Sequence, residues 1–452
     1  MSEPVRICIV TGPPVCGKSK YALEKYQVCV EEYGHDAALY LVPTQRVADL
    51  VRGRLAASGP QGLFDFRVMT FADVANMVLV ANHANVSAIS ASQRLALLHT
   101  ILAELDDAQL GPLAAHRARP SLSAVLAQDI DELKAAGLAP GQFVRAVESL
   151  PGSDLARALA VVYSRYQALL TDLELYDEPG KLWEAQAQLE QGCTKPFAGR
   201  LRLVIADGFS DFTTTQLRVL TALVGLAGMG LITLTYDPRD DRPELQDLPA
   251  RALATLRSHL TAAGGVVDER PLPCDAEPRT DLEYLRRYLF VPDVPESSAR
   301  DGSVVFMHAP GPWAEVRLVA REIKRLLHQG RLSGKACPQD VAIIVRNLDP
   351  YQQALREVFA EYEISLFVSR GEPVARRPSV RLVLDLLSLV VRDFPRSLTI
   401  ALWDSGYVQL SRLVGDEEVP ATAAEADNIS RRAGIAGGRE AWLSSLDRLE
   451  TR

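Results

Sequence analysis

The first 33 residues combine a short apolar segment, a loop bounded by glycines and an amphipathic helix, and this combination constrains the fold most strongly. The segment 5–10 is mainly apolar, and from Ala22 onward apolar side chains recur at helical spacing. The loop between them, residues 12–19, reads GPPVCGKS and matches the pattern GxxxxGK[ST]. A strand that runs through such a loop into a helix indicates a sheet covered by helices.

The same alternation of strand and helix continues beyond this start. Apolar runs at 37–42 and 66–69 are each followed by a helical stripe, and further runs occur at 201–206 and 231–236. Strands that are buried on both faces and alternate with helices form parallel sheets with helices on both sides. We therefore predict an α/β fold built on a parallel sheet.

The strand pattern stops between residues 85 and 195. Leucines recur there at helical spacing, and prolines separate further helical stretches. We predict that 85–195 is a helical insertion between two parts of a first domain, residues 1–84 and 196–268.

A proline-rich, polar stretch at 269–302 is predicted to be a linker. Beyond it, apolar runs at 304–308 and 341–345 flank an amphipathic helix, so we predict a second α/β unit over 303–452. Residues 300–400 hold 15 Lys and Arg against 11 Asp and Glu, which makes this unit locally basic.

The composition excludes several classes of protein. Lys and Arg number 49 and Asp and Glu 57, and the net charge of -8 excludes a uniformly cationic DNA binder. The six cysteines are scattered without a CxxC pair, so we expect neither a zinc site nor a disulfide framework. No apolar run approaches the roughly 20 residues of a membrane helix, and the start lacks the pattern of a signal peptide. We expect a cytoplasmic chain without membrane contact.

The loop at 12–19 carries the groups that bind phosphate. Backbone N–H groups and the helix N-terminus cradle phosphates, the Lys18 ammonium offsets charge on the β- and γ-phosphates, and the Ser19 hydroxyl reaches Mg²⁺. The alternative is a chance glycine-rich turn. The predicted site for ATP and Mg²⁺ comprises Gly12, Pro13, Pro14, Val15, Cys16, Gly17, Lys18 and Ser19.

Asp207 follows the apolar run 201–206 and is the second predicted Mg²⁺ ligand. The alternative is an ordinary turn residue at the end of a strand. The next residue is Gly208, where a helicase would place a glutamate that polarises the attacking water. Nucleotide binding is therefore better supported than hydrolysis.

Several segments resemble the AddB/RexB subunit of bacterial ATP-dependent helicase–nucleases, whose N-terminal part is similar to superfamily-one helicases. The likeness extends from residue 5 to about residue 410. The matching segments are DGFSDFT at 207–213, QL at 216–217, LTYD at 234–237, LVPTQ at 41–45, VMTF at 68–71, EV at 315–316 and DVAIIVR at 340–346.

The resemblance implies a RecA-like sheet with a helical insertion, followed by part of a second RecA-like domain. It also implies ATP and Mg²⁺ as cofactors, an AddA-like partner subunit, contact with DNA, and a role in processing double-strand breaks for recombination. The family has a C-terminal nuclease, whereas this sequence ends at Arg452 inside the second domain, so we expect no nuclease activity and a truncated, split or short member.

The resemblance also implies roles for single residues. Those matching helicase motifs that contact DNA are Thr44, Gln45, Thr70 and Phe71. Apart from the resemblance, Arg376 and Arg377 beside Pro378 could contact DNA phosphate, and Arg346 at the end of an apolar run could pair with the γ-phosphate. Plain structural roles remain open for each: an N-cap for Thr70, a core position for Phe71, and surface positions for the arginines.

Two other functions remain open. In a P-loop phosphotransferase acting on a small metabolite, the helices of 85–190 would form a substrate lid. In a catalytically silent scaffold, a nucleotide-binding fold would hold a partner, and Gly208 favours this over an active motor. Whether ATP is turned over stays open.

Overall fold

The computed structural model describes most of the chain. The described residues are 5–58, 66–82, 87–149, 152–192, 194–197, 199–240, 242–272, 278–294, 296, 301–328, 341–368, 374–407 and 422–450. They divide into a first unit, residues 1–304, and a second unit, residues 305–452.

Six parallel strands form the sheet of the first unit. They are β1 (Arg6–Gly12), β2 (Ala38–Leu41), β3 (Val68–Met69), β6 (Leu203–Ala206), β7 (Met229–Thr235) and β8 (Val266–Pro271). Their order is β3-β2-β6-β7-β1-β8, and every pairing is parallel. The predicted α/β class is confirmed.

Helices cover both faces of this sheet because neighbouring residues of each strand point in opposite directions. Ile9 packs in a core with the helices α3 (Phe71–Ala81), α9 (Glu178–Glu190), α10 (Thr214–Ala227) and α11 (Pro243–Ala262). Val10 packs in a second core with α1 (Lys18–Tyr33) and α2 (Gln45–Ser58). Because the strands are parallel, their carboxyl ends lie at one edge of the sheet.

A group of helices lies between β3 and β6 in the sequence. It comprises α4 (Ala91–Glu104), α5 (Asp107–Leu110), α6 (Pro120–Ala135), α7 (Pro140–Glu148), α8 (Asp154–Asp172) and then α9. These helices have a core of their own, centred on Leu98, Ile130 and Tyr163. Two short strands, β4 (Ser87–Ala88) and β5 (Leu175–Tyr176), pair with each other outside the main sheet.

A buried ion pair fixes this helical group. The Lys134 ammonium lies 2.8 Å from Oδ2 of Asp177, and both side chains are almost completely buried. Tyr166 donates its hydroxyl hydrogen to the same carboxylate over 2.9 Å. The carbonyl of Lys134 accepts from Trp183 and from Thr215 of α10, which joins the helical group to the sheet layer.

The segment predicted as a linker, 269–302, contains regular structure. It includes the end of β8, which pairs with β1, and the helix α12 (Asp281–Tyr288). The prediction missed β8 because it is an edge strand whose residues are mostly exposed, and because Asp268, Glu269 and Arg270 interrupt the apolar signal.

The second unit is helical in its described residues. Its helices are α13 (Pro312–His328), α14 (Gln352–Glu361), α15 (Pro378–Val391), α16 (Arg396–Asp404), α17 (Ala423–Arg432) and α18 (Arg439–Glu450). Residues 304–308 and 341–345, predicted as strands, are described and do not form strands. Phe306 and Ile344 are each 93% exposed, and neither run pairs with a strand in the part of the chain that the structure describes.

No helix in the described ranges is both long and apolar enough to cross a lipid bilayer.

Candidate nucleotide-binding site

The loop between β1 and α1 requires glycine at its first position. A Cβ atom on Gly12 would lie 2.5 Å from the carbonyl oxygen of Leu272 and 2.6 Å from Sγ of Cys16. Any side chain there would displace the backbone after β8. The middle of the loop faces solvent, since Pro14, Val15 and Gly17 are exposed and Pro13 and Cys16 are half-buried.

Lys18 folds back onto this loop. Its side chain is buried, and its ammonium donates to the carbonyl of Gly12 over 2.9 Å and to that of Pro13 over 2.6 Å. The same nitrogen lies 3.6 Å from Sγ of Cys16. A phosphate group that takes this ammonium as a partner therefore has to replace two carbonyl contacts.

Asp207 lies beside Ser19 although 188 positions separate them in the sequence. Ser19 Oγ donates to Oδ1 of Asp207 over 3.1 Å, and Thr233 Oγ1 donates to the same oxygen over 2.5 Å. Tyr40 donates to Oδ2 over 2.9 Å. The carboxylate is thus buried and holds hydroxyl groups from β2, β7 and the start of α1.

The Tyr40 phenol remains a hydrogen-bond donor to this cluster at neutral pH. Burial, and then the nearby Asp207 carboxylate, raise the pKa of the Tyr40 phenol far above its usual value. The phenol therefore stays protonated at neutral pH and cannot act as a general base there.

Gly208 has a backbone conformation that favours glycine. Its φ angle is 81°, in the left-handed region, and its N–H lies 3.4 Å from Thr233 Oγ1. A Cβ atom at this position would only make ordinary contact with Pro43, at 3.7 Å. The left-handed backbone, and not the space around a Cβ atom, is therefore what favours glycine here.

The groups at this site suit Mg²⁺ bound together with phosphate. A hydroxyl and a carboxylate, from Ser19 and Asp207, offer hard oxygen ligands at one point. Mg²⁺ bound with nucleotides commonly takes only one or two protein ligands, the rest being phosphate oxygens and water. Among the described residues, no group of three or more His, Cys, Asp or Glu side chains could hold a metal ion without such help.

The residues predicted to contact DNA differ in their placement. Thr44 and Gln45 are exposed at the start of α2, where Thr44 Oγ1 accepts from the N–H of Val47 over 3.3 Å. Thr70 caps α3 by a reciprocal pair of hydrogen bonds with Asp73. Phe71 is 5% exposed and packs edge-to-face against two aromatic rings, those of Phe209 and Phe212. Its ring is a core ring in this structure.

The three arginines predicted to contact nucleotide or DNA belong to the second unit. Arg346 is exposed and follows the segment 341–345, which has no regular secondary structure. Arg377 is exposed and precedes the first turn of α15, while Arg376 ends a short 3₁₀ helix, Val374–Arg376.

The sequence matches the family model described as ADDB, N-terminal, over residues 9–263, which is more than half of the chain. The chain belongs to this family.

Relatives of this AddB chain are named as a subunit of an ATP-dependent helicase/deoxyribonuclease. The protein from Pelotomaculum thermopropionicum is 28% identical over 90% of this chain and 36% of its own length. Those from Desulforudis audaxviator and Heliobacterium modesticaldum are 26% and 27% identical, over 89% and 96% of this chain and 35% and 36% of their own lengths. The chain thus spans about a third of the length of the curated relatives it matches.

Three residues of the AddB chain contribute to the site without a sequence signal that identified them. Tyr40 and Thr233 donate to Asp207 from strands β2 and β7. Each lies within an apolar run, where the sequence does not distinguish a hydroxyl group at the site from an ordinary strand side chain. Arg286 donates to the carbonyl of Pro14 over 2.9 Å from a segment that was predicted as a linker.

Proposed function

We propose that this chain is the nucleotide-binding part of an AddB-type helicase/deoxyribonuclease subunit, and that it binds ATP with Mg²⁺ through residues 12–19 and Asp207. The observation that carries the proposal is the contact of Ser19 Oγ with Asp207 Oδ1 at 3.1 Å. In P-loop NTPases, Mg²⁺ is held by the hydroxyl next to the lysine of the GxxxxGK[ST] pattern and by a carboxylate that follows another strand.

Each group has a separate task in nucleotide binding. The N–H groups of the loop and of the first turn of α1 bind phosphate oxygens, and Lys18 exchanges its carbonyl partners for the β- and γ-phosphates. Ser19 and Asp207 would hold the metal ion, which when bound offsets negative charge between the phosphates. Tyr40 and Thr233 keep the Asp207 carboxylate in one orientation by donating to both of its oxygens.

We further propose that hydrolysis is slow or absent. Gly208 has no side chain that could polarise water, and the hydroxyls that contact Asp207 are donors in this cluster. A general base contributes about 10²- to 10⁴-fold to a rate. A catalytically silent scaffold is the second candidate function, and the same glycine favours it.

The names of the relatives support a wider role. We propose that this chain works in the cytoplasm on DNA ends during recombinational repair, together with an AddA-like subunit. Thr44 and Gln45 follow β2, at the same edge of the sheet as the loop after β1, so DNA held there would lie near the nucleotide. Because the net charge is -8, binding requires a local basic surface, and the arginines of the second unit are candidates for it.

Titration of the purified chain with Mg-ATP tests the nucleotide site. Wild type should bind, and Lys18→Ala should bind at least about tenfold more weakly, because a charge-assisted bond to phosphate is lost. Lys20→Ala is the matched control, since Lys20 is an exposed lysine of the same helix. Equal affinity in all three proteins would disprove the nucleotide site.

Incubation with linear DNA tests the wider role. Retention of intact single-stranded DNA should fall as the salt concentration rises, because phosphate contacts release counterions. Turnover of ATP should remain slow with and without DNA. Nucleotide binding without any retention of DNA would favour the scaffold, whereas DNA degradation that co-purifies with the chain would contradict binding without cleavage.

A further inference from the structure

Helix α12 lies against the phosphate-binding loop although it contributes nothing to a core. All eight of its residues are described, and none is buried. Its Arg286 donates from Nη1 to the carbonyl of Pro14 over 2.9 Å. The contact joins residues that are 272 positions apart in the sequence.

Polar contacts hold both ends of this helix. At its start, the N–H of Asp281 donates to Asp301 Oδ1 over 3.0 Å, and Thr280 caps the first turn. At its end, Arg242 donates to the carbonyl of Leu289 over 2.8 Å. Arg242 is itself fixed by Asp240, with Nε 2.6 Å from Oδ1. An element held by polar contacts without a buried apolar face can shift at low cost in free energy.

Two cationic side chains therefore donate hydrogen bonds to the carbonyls of three consecutive loop residues. Lys18 contacts the carbonyls of Gly12 and Pro13, and Arg286 contacts that of Pro14. A nucleoside triphosphate brings several negative charges to this loop, and one lysine offsets only one of them. A guanidinium has five N–H donors in a planar fork, so Arg286 can exchange present contacts for phosphate oxygens while it stays beside the loop.

We propose that Arg286 is a second phosphate-binding cation of the nucleotide site and that α12 is a strap that tightens over the loop when nucleotide binds. This inference rests on the proposed nucleotide-binding function. It adds a residue and a movable element to that function, outside the sequence pattern at 12–19.

The affinity of three variants for Mg-ATP tests the role of Arg286. Arg286→Ala should bind about ten- to hundredfold more weakly than wild type, because charge-assisted bonds are lost, and Arg286→Lys should fall between them. Arg287→Ala is the matched control. It removes the same charge from the same helix, where Arg287 lies over the ring of Tyr288 at 5.6 Å. Its affinity should stay within about twofold of wild type.

Hydrogen exchange of the peptide 278–294 tests the movement of the strap. Mg-ATP should slow exchange there in wild type and in Arg287→Ala, and should leave it unchanged in Arg286→Ala. Thermal unfolding without nucleotide should be the same in both alanine variants, which separates a phosphate contact from a structural one.

The outcomes separate this inference from the function on which it rests. If wild type binds Mg-ATP but Arg286→Ala binds it equally well, the strap is overturned and the nucleotide site is retained. The same holds if Mg-ATP leaves exchange at 278–294 unchanged in wild type. Wild type that does not bind Mg-ATP overturns both.

Discussion

Tyr40 donates its hydroxyl hydrogen to Oδ2 of Asp207 over 2.9 Å, from a strand that lies next to the one that precedes Asp207. Both side chains are buried, and the other carboxylate oxygen accepts from Ser19 and Thr233. The buried carboxylate thus accepts from three hydroxyls, and any Mg²⁺ bound there has to share it with them.

Removal of the Tyr40 hydroxyl should destabilise the chain. Tyr40→Phe leaves Oδ2 of Asp207 without its donor, so the free energy of unfolding should fall by about 1–3 kcal/mol. Urea denaturation measures this change. The control Tyr33→Phe removes an exposed phenol and should change stability by less than about 0.5 kcal/mol. Equal stabilities of the two variants would contradict the role assigned to Tyr40.

A glutamate after Asp207 should cost stability and raise turnover. Because the φ angle of Gly208 is 81°, both Gly208→Glu and Gly208→Ala should lose roughly 1–2 kcal/mol. Only the glutamate provides a carboxylate, so its steady-state ATPase rate should exceed that of the alanine variant by about tenfold or more. Identical rates in both variants would show that the missing carboxylate does not limit hydrolysis.

Loss of one partner of the buried ion pair should be among the most damaging changes. Asp177→Ala leaves the Lys134 ammonium buried without its carboxylate, which should lower the free energy of unfolding by about 3–5 kcal/mol. The double variant Lys134→Met/Asp177→Leu buries no charge and should recover most of that loss. Calorimetric or urea unfolding measures the stability of both variants. A double variant as unstable as Asp177→Ala would contradict this prediction.

The same ion pair should make the stability of the chain depend on pH. Burial opposes ionisation of Asp177, but the Lys134 ammonium and the hydrogen bonds from Tyr166 and Gly180 outweigh it and hold its pKa below the usual value. An acid with a lowered pKa in the folded state contributes stability above its ordinary pKa and loses it as the pH falls. Wild type should therefore lose stability below about pH 4 more steeply than the double variant does. Parallel pH profiles of the two would refute this assignment.

Much of the sheet was predictable because its strands are buried on both faces. The apolar runs around Ile9, Tyr40 and Ile205 predicted β1, β2 and β6 with small differences at their ends. The closeness of Ser19 and Asp207 was predictable too, because both follow strands whose carboxyl ends meet at one edge. Their roles in binding Mg²⁺ stay predictions.

The features that the sequence patterns did not predict depend on contacts between segments that are distant in the chain. The charged residues 268–270 form a strand by pairing with the backbone of β1, and Arg286 reaches Pro14 from a helix whose two ends are held by polar contacts. The apolar runs around Phe306 and Ile344 show the reverse error, since hydrophobicity alone does not supply a neighbouring strand.

The short strands β4 and β5 bring together the two ends of the segment that carries α4 to α8. Ser87 pairs with Leu175 and Ala88 with Tyr176, so the chain leaves toward α4 and returns from α8 at two points only about 5 Å apart. A segment whose two ends meet in this way can change in length away from its contacts with α10 without shifting the register of the main sheet. Changes of length in that part of the segment should therefore leave the strands of the main sheet in position.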